Sequence, residues 1–354
     1  MKNNIRFLIT TNGCEPTKGN VDTLRQSLIN ELGLFEAIDE PPDIVIFFPC
    51  TFNQVIRNNS DTLMDKILKE QSQAELVLVT GCFLDKQFEG IQNVKYSKYA
   101  DLTKTLKTFL VNREYERNTT PYLRKVPFVE ISRGCYGACS FCSIVSVKGK
   151  HTSYSPKLIL KNISELVADG YHTIKLVGDE VAGYGMDCNS SLERLLSEIH
   201  TNFPNLKVEL GQLNPNILKD WKPSDYEFLS SPMIAGSIFL PLQSASNNIL
   251  KKMNRYYSVE EYDNIYNQIK RVRSGKQIST DIIIGFPTET EADHQQNVLF
   301  LKSHSFDFFG VFTFDKSDKK TKAGRMDGHV DDQIIQKRYD EIINLISSPK
   351  PAYN

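Results

Sequence analysis

Three apolar, β-branched runs in the first hundred residues are each followed at once by a cysteine. The runs are IRFLITTNGC, DIVIFFPC and ELVLVTGC, and between them lie stretches with apolar residues at helical spacing, NVDTLRQSLINELG and NNSDTLMDKILKEQ. Cys14, Cys50 and Cys82 recur at intervals close to one strand–helix–strand unit of about 30 residues. Strands joined by such crossovers run parallel, and their carboxyl ends share one edge of a sheet. We therefore expect these three cysteines to converge in space.

A second alternation of strand and helix patterns begins near Val126, after the polar segment NREYERNTTPYLRKVP, in which Pro121 and Pro127 act as breakers. Its strand-like runs are FVEIS, TIKLVGD, LKVELG, SIFLPLQ, STDIIIGF and FDFFGVFTF. All but the last are followed by helical material, which predicts parallel strands with a helical coat. Six such units, rather than eight, indicate a barrel that stays open along one side.

These patterns predict an α/β protein with two domains. We expect an N-terminal parallel α/β sheet domain over residues 1–118, a linker over 119–126 and a partial (βα)6 barrel over 127–345. A short tail, 346–354, follows the last helix.

Composition narrows the environment and the partners. The 354-residue chain has 42 basic and 43 acidic residues, so no chain-wide positive field favours a nucleic acid. We see neither a secretory signal nor an apolar run of the roughly 18 residues that a membrane span needs, and we expect a cytoplasmic protein without a membrane partner. In a reducing compartment, seven cysteines point to metal or redox chemistry rather than disulfides.

The segment RGCYGACSFC places Cys135, Cys139 and Cys142 directly after the first strand of the predicted barrel, at the edge where barrels carry reacting groups. Three thiolates on a four-iron cluster leave one iron open to a small molecule, whereas structural iron–sulfur and zinc sites use four protein ligands. A zinc site with His151 or His172 as the fourth ligand remains the alternative. Cys188, in a polar loop, is predicted to be a bystander.

RGCYGACSFC resembles the signature of the radical S-adenosylmethionine (SAM) superfamily, and the likeness extends along the chain. TNGCEPTKGNVD, FPCTFN, TGCFLDKQ, LVGDEVAGYGMD, LPLQSASNNILKKMNRYYSVEEY and STDIIIGFPTETEADH are similar to the methylthiotransferase branch of that superfamily. The resemblance implies SAM and two 4Fe–4S clusters, with a SAM-binding cluster on Cys135, Cys139 and Cys142. It also implies an auxiliary, sulfur-carrying cluster on Cys14, Cys50 and Cys82.

The same resemblance implies a set of residues around SAM, at the ends of the barrel strands. The family usually has Gln at position 179, so the Asp there departs from its pattern. The implied cofactor-binding residues are Phe141, Gly178, Asp179, Glu180, Gln243, Ser244, Thr280, Asp281 and Gly285. Other roles stay open for three of them: Phe141 as a core residue, Gln243 as a helix cap, and Gly285 as part of a strand-to-helix turn in which Glu289 stabilises the helix N-terminus.

We predict an enzyme that inserts a methylthio group at an unactivated C–H bond. The branch that modifies transfer RNA usually ends in a small β-barrel called TRAM, for which this chain leaves no room, and YGMD resembles the branch that modifies a protein aspartate. A peptide or protein side chain is therefore the expected substrate. Two alternatives remain, a tRNA adenosine methylthiotransferase with its RNA-binding domain missing or supplied in trans, and a non-catalytic zinc or iron scaffold. Flavodoxin or ferredoxin is the expected type of electron donor.

Overall fold

A computed structural model describes most of the chain. The residues it describes are 4–11, 21, 24–38, 40–49, 54–81, 88, 90–111, 113–119, 126–273, 277–317 and 319–347.

The N-terminal part of the described chain, up to Leu110, forms a five-stranded, fully parallel sheet in the order β2-β1-β3-β4-β5. The strands are β1 (Arg6–Thr11), β2 (Phe35–Glu36), β3 (Ile44–Phe48), β4 (Leu76–Val79) and β5 (Val94–Tyr96). The helices are α1 (Gln54–Glu70) and α2 (Leu102–Leu110), with a π-helical turn over Ser27–Glu31 and a 3-10 turn over Tyr99–Asp101.

Central strand β3 reads IVIFF, and all five of its residues are buried. Ile44, Ile46 and Phe48 belong to one apolar cluster, whereas Val45 and Phe47 belong to a second cluster. A continuous apolar run of this kind is typical of a parallel strand that is covered on both faces.

The remaining strands belong to an open barrel. They are β6 (Phe128–Glu130), β7 (Ser132–Arg133), β8 (Thr152–Ser153), β9 (Thr173–Val177), β10 (Lys207–Leu210), β11 (Ile234–Ala235), β12 (Ile238–Phe239), β13 (Ile278–Ile284) and β14 (Phe308–Thr313). The α-helices are α3 (Ile144–Lys148), α4 (Pro156–Ala168), α5 (Leu192–Asn202), α6 (Pro215–Leu218), α7 (Asn247–Lys252), α8 (Val259–Val272), α9 (Glu291–Ser303) and α10 (Asp332–Ser347). Two 3-10 segments cover Pro223–Ser230 and Ala323–Arg325.

One extended segment joins two parallel sheets into the barrel wall. β11 pairs with β10 in the sheet β11-β10-β9-β6, and β12, two residues later, pairs with β13 in the sheet β12-β13-β14. Gly236, between β11 and β12, has a φ of +69° and lies where a Cβ would come 3.2 Å from Glu209 Cγ. A residue without a Cβ adopts this bend without steric cost, and the chain therefore passes from one sheet to the next.

The predicted α/β class with parallel strands is confirmed. Each of the six strand-like runs of the second domain contains a strand, and each of the three N-terminal runs does too. The strands β2, β5 and β11 and the short antiparallel pair formed by β7 and β8 were not predicted. The domain boundaries stay predictions. Among the described residues, none of the helices combines the length and the apolar character that a membrane span requires.

Helix α10 closes the turn after β13 through a buried ion pair. Arg338 Nη1 lies 2.8 Å from Glu289 Oε1, and the two side chains are 6% and 0% exposed. Glu289 Oε1 also accepts a hydrogen bond from the Gly285 amide at 3.1 Å. Burial raises the pKa of Glu289 to about 7, against the opposing effects of that amide and of Arg338. The turn that ends β13 is thus held to the last described helix.

Arg338→Met is expected to destabilise the fold by about 3–5 kcal/mol at pH 8, because Glu289 would stay buried without its cation. The loss should be smaller near pH 5.5. A carboxyl group whose pKa is raised by folding binds its proton more tightly in the folded state, so acidification favours the folded chain. Denaturant unfolding at both pH values measures this. Glu291→Gln, which removes only the exposed partner of Arg338, should cost less than about 1 kcal/mol; equal losses in both variants would contradict the prediction.

Candidate active site at the barrel mouth

Three cysteines lie in one loop that connects β7 to α3 at the carboxyl edge of the barrel. Cys135, Cys139 and Cys142 are each partly exposed. Cys135 forms an isolated β-bridge with Lys150, and the Cys142 amide donates to the Cys139 carbonyl at 3.2 Å. The loop is therefore attached to the barrel at its start and folded back on itself at its end.

Backbone amides point at two of the three sulfurs. The Gly137 amide donates to Cys135 Sγ at 3.2 Å, and the Ile144 amide donates to Cys142 Sγ at 3.4 Å. A Cβ on Gly137 would lie 3.3 Å from Cys135 Sγ and 3.6 Å from Cys139 Sγ. The missing side chain at this position leaves room beside both sulfurs.

The thiols need a positive partner to act as thiolates. Burial raises the pKa of both Cys135 and Cys142 to about 12, and neighbouring acidic groups add to the effect. Metal binding compensates such charge, since the thiolate is the form that binds iron. Three thiol groups from one loop, with amide donors on two of the sulfurs, fit a cubane cluster that keeps one iron open.

A buried carboxylate holds both ends of the cysteine loop. Asp179 Oδ2 accepts from the Gly134 amide at 3.0 Å, and Asp179 Oδ1 lies 2.7 Å from Lys148 Nζ. The side chains of Lys148 and Asp179 are 6% and 4% exposed. Gly134 has a φ of +77°, and a Cβ there would lie 2.4 Å from the Lys150 carbonyl oxygen. The carboxylate of Asp179, predicted to contact SAM, is thus bonded to the loop itself.

Glu180, next to Asp179, places a second carboxylate near the cysteines. The residue is fully buried, its Oε1 accepts from the Ala182 amide at 3.2 Å, and its Oε2 has no hydrogen-bond partner within the described residues. Burial raises its pKa to about 7, against the effects of Asn214 and Arg255. Gly178 permits the close approach of this strand end, because a Cβ there would lie 2.4 Å from Ser132 Oγ.

The predicted residues on β13 and on the segment after β12 lie on two different faces of the sheet, because side chains alternate along a strand. Gln243 Nε2 donates to Asp281 Oδ1 at 2.9 Å, and burial raises the pKa of Asp281 to about 7. The Thr280 hydroxyl is fully buried on the opposite face, where it donates to the Leu240 carbonyl at 2.8 Å. Ser244 is likewise buried, with its Oγ 3.4 Å from Asn297 Oδ1. The structure brings Gln243 and Asp281 together and sets Thr280 and Ser244 in the wall.

Two further predicted residues have packing contacts. Phe141 packs, partly buried, against an apolar cluster that includes Ile283 and Phe286. Gly285 has a φ of +77°, and a Cβ there would lie 2.4 Å from Ile335 Cγ1 on α10. The alternative role of Gly285 in the strand-to-helix turn therefore agrees with its observed contacts.

Arg255 is a site residue that the sequence analysis did not select. Its guanidinium is buried and donates from Nη1 to Cys139 Sγ at 3.3 Å. In the stretch MNRYYS nothing distinguishes this arginine from a surface one, since its burial depends on the packing of a loop 116 positions earlier in the chain.

The two histidines considered for zinc lie in different places. His172 is exposed and immediately precedes β9, at the edge of the sheet opposite the cysteine loop. His151 stacks on Tyr136 with ring centroids 4.3 Å apart, and its Nε2 lies 3.2 Å from Ser153 Oγ. Within the described ranges, no group of three or more His, Cys, Asp or Glu side chains is arranged to hold a single metal ion. Cys188 is exposed.

Cys14, Cys50 and Cys82 lie outside the described residues. The strands that lead to them are β1, β3 and β4, which are neighbours in the N-terminal sheet. In their register Thr11 pairs with Phe48, and Phe47 pairs with Val79. The last described residues of the three strands therefore end at one edge of the sheet.

Comparison with known sequences identifies a domain and its relatives. Residues 129–301 match the radical SAM superfamily. A tRNA-2-methylthio-N(6)-dimethylallyladenosine synthase of Clostridium botulinum (strain Hall) is 29% identical over 97% of this chain and 82% of its own length. The threonylcarbamoyladenosine tRNA methylthiotransferase MtaB of Bacillus subtilis (strain 168) is 26% identical over 95% of this chain and 79% of its own length.

Comparison with solved structures agrees with the fold. The radical SAM methyltransferase TsrM from Kitasatospora setae superposes with a TM-score of 0.61 at 12% identity, covering 91% of this chain and 74% of TsrM. The cobalamin-dependent radical SAM enzyme OxsB superposes with a TM-score of 0.55 at 15% identity, covering 97% of this chain and 56% of OxsB.

Asp179→Asn is expected to destabilise the protein by about 3–5 kcal/mol, because the buried Lys148 ammonium loses its carboxylate. Denaturant unfolding of the apoprotein measures the change. Glu227→Gln serves as the matched control, since its ion pair with Arg271 joins side chains that are 56% and 51% exposed and should contribute less than about 1 kcal/mol. A loss of less than about 1 kcal/mol in Asp179→Asn would argue against this stabilising role of the ion pair.

The structure and the sequence relatives indicate the same kind of protein. The loop lies within the matched segment 129–301, and the relatives align along nearly the whole chain. The prediction of an enzyme is confirmed. The chain therefore contains a radical SAM domain and is an enzyme whose sequence relatives are methylthiotransferases.

Proposed function

We propose that this enzyme transfers a methylthio group to an adenosine of tRNA in the cytoplasm. The observation that carries the proposal is the extent of the similarity to tRNA-modifying methylthiotransferases, which covers 94–97% of this chain and 79–86% of theirs. The peptide or protein substrate expected from the sequence has no such support.

The near-neutral net charge that disfavoured a nucleic acid describes the whole chain and not one face of it. Arg133 and Lys150 are exposed on either side of the cysteine loop. Lys251 is exposed on α7, the helix that ends beside this loop. Positive side chains at the barrel mouth favour contacts with phosphate groups there.

We assign a cluster that binds SAM to Cys135, Cys139 and Cys142. The amide and guanidinium donors on their sulfurs support this assignment, because hydrogen bonds to thiolates are typical of iron–sulfur sites. When bound, the cluster and SAM together supply the radical that removes hydrogen from an unactivated carbon.

We assign the auxiliary cluster to Cys14, Cys50 and Cys82. Neighbouring parallel strands lie about 4.8 Å apart, so the ends of β1, β3 and β4 span about 10 Å. Cys14 and Cys82 follow their strands by three residues and Cys50 follows by two. The register of these strands therefore supports a shared site.

The chain's own polar groups orient the small substrate. Glu180 offers a buried carboxylate beside Cys135, suited to the amino group of SAM, and Gln243 with Asp281 offers a polar pair on the inner face of the barrel. Their roles, and those of Phe141, Gly178, Asp179, Ser244, Thr280 and Gly285, remain proposals. A flavodoxin or ferredoxin remains the proposed electron donor.

The open side of the barrel exposes aromatic rings on one face of β14. Phe309 and Val311 pack against the main core, whereas Phe308 and Phe312 point the other way and are 65% and 55% exposed. Phe312 is the register partner of Ile283, near the mouth, and Phe308 is the partner of Ser279 at the far end. An exposed ring near the mouth supports a nucleobase substrate, since bases stack on aromatic side chains.

Single cysteine variants should separate the two clusters. After anaerobic reconstitution, Cys50→Ala is expected to fall from about eight to about four bound iron atoms and still cleave SAM, but to make no methylthio product. Cys139→Ala is expected to lose SAM cleavage and, with it, the methylthio product. Iron analysis, 5′-deoxyadenosine release and mass spectrometry of nucleosides from unmodified tRNA measure these effects.

Cys188→Ala is the matched control and should behave as the wild type, because that exposed thiol belongs to neither predicted cysteine set. Methylthio groups found on a peptide but never on tRNA would reject the tRNA substrate. Zinc without SAM cleavage would reject the enzyme and leave the scaffold alternative.

Phe312→Ala is expected to raise the KM for tRNA about fivefold or more, because stacking of one base contributes about 1–3 kcal/mol. Phe308→Ala removes the same ring from the same face at the far end of β14 and should leave KM unchanged. Steady-state kinetics with both variants tests this, and equal effects would argue against a base-stacking role.

A further inference from the structure

A buried guanidinium contacts one sulfur of the cysteine loop. Arg255 is 8% exposed and donates from Nη1 to Cys139 Sγ at 3.3 Å. The other two sulfurs accept from backbone amides, of Gly137 and Ile144. Among the described contacts to these sulfurs, the one made by Arg255 brings a full positive charge.

The guanidinium is fixed from its other side. Nη2 donates to the Pro241 carbonyl at 3.4 Å, and Nε donates to the Tyr257 hydroxyl at 3.3 Å. That hydroxyl in turn donates to the Leu242 carbonyl at 2.5 Å. The carbonyls belong to the segment that follows β12, so the position of Arg255 is set by the barrel wall.

The turn that carries Arg255 is bonded to the cysteine loop at three further points. Ser140 donates from its amide to the Met253 carbonyl at 2.9 Å and from its hydroxyl to the Lys252 carbonyl at 2.8 Å. Asn254, with a φ of +58°, donates from Nδ2 to the Ala138 carbonyl at 2.7 Å. The separation between the guanidinium and the sulfur therefore does not depend on one side chain alone.

We propose that Arg255 sets the reduction potential of the cluster on Cys135, Cys139 and Cys142; the inference rests on the proposed function. Reduction adds one electron, and hence one negative charge, to the cluster, and this electron comes from a low-potential one-electron donor. A buried cation bonded to a ligand sulfur stabilises the reduced state more than the oxidised state. Arg255 thus makes the cluster easier to reduce. It is a positioning residue that acts through Cys139.

The test is a potentiometric titration of the reconstituted enzyme without SAM, followed by electron paramagnetic resonance. Arg255→Gln should make reduction at least tenfold less favourable, a shift of about 59 mV to a more negative potential for a one-electron couple. Arg255→Lys retains the charge and should shift the potential by less than half as much.

Arg273→Gln is the matched control. Arg273 is also buried, and in the described structure it donates to the carbonyls of Leu229, Ile234 and Gly236. Its variant should leave the potential unchanged even where it lowers stability, which thermal unfolding reports separately.

Several outcomes would overturn the inference. A wild-type potential in Arg255→Gln with full iron content rejects it, and so do equal shifts in the Gln and Lys variants, which would indicate altered geometry rather than lost charge. Altered SAM affinity at an unchanged potential would make Arg255 a SAM contact instead. Loss of the cluster from both Arg255 variants would make it an assembly residue. Absence of a four-iron cluster from the wild type would mean that the proposed function itself fails.

Discussion

The shape of the cysteine loop depends on one buried carboxylate. Asp179 accepts from the amide of Gly134 at the start of the loop and pairs with Lys148 just beyond its end. An ion pair with so little solvent around it stabilises little by itself, but it penalises any conformation that separates its partners. The carboxylate therefore contributes to the position of the three sulfurs relative to the barrel. Arg255, which donates to Cys139 Sγ, and Glu180, whose charge affects the pKa of Cys135, both lie close to these sulfurs.

The sequence predicted the parts of the fold that local pattern determines. Apolar runs such as IVIFF and STDIIIGF form buried parallel strands, and the cysteine triplet lies at a strand end as expected. The short pair β7–β8 was missed because two-residue strands carry no periodicity. Arg255 was missed because its burial comes from a contact between distant segments. The cysteines of the auxiliary site lie outside the described residues, and their convergence stays a prediction.

Within a strand end, the alternation of faces decides which polar residues reach the interior. Thr280 and Asp281 are adjacent in the sequence, and a motif cannot tell them apart. In the sheet, the Thr280 hydroxyl donates to the Leu240 carbonyl on one face of the strand, while the Asp281 carboxylate accepts from the Gln243 amide on the opposite face.

Position 179 is a second case in which the motif does not show the contact. The methylthiotransferases that the sequence resembles usually have a neutral Gln there, whereas the Asp of this chain brings a charge that Lys148, just beyond the cysteine loop, neutralises.

The charged groups around the barrel mouth lie close enough together to affect one another's pKa. Burial raises the pKa of both Glu180 and Asp281 to about 7, and Arg255 opposes that rise at both carboxyl groups. Arg255 also donates to Cys139 Sγ, so this buried cation stands among two carboxyl groups and one sulfur of the cysteine loop. A ligand that carries positive charge, as SAM does through its amino and sulfonium groups, would lower the pKa of both carboxyl groups. Its binding would therefore release protons, and by linkage it would be stronger above neutral pH than below it.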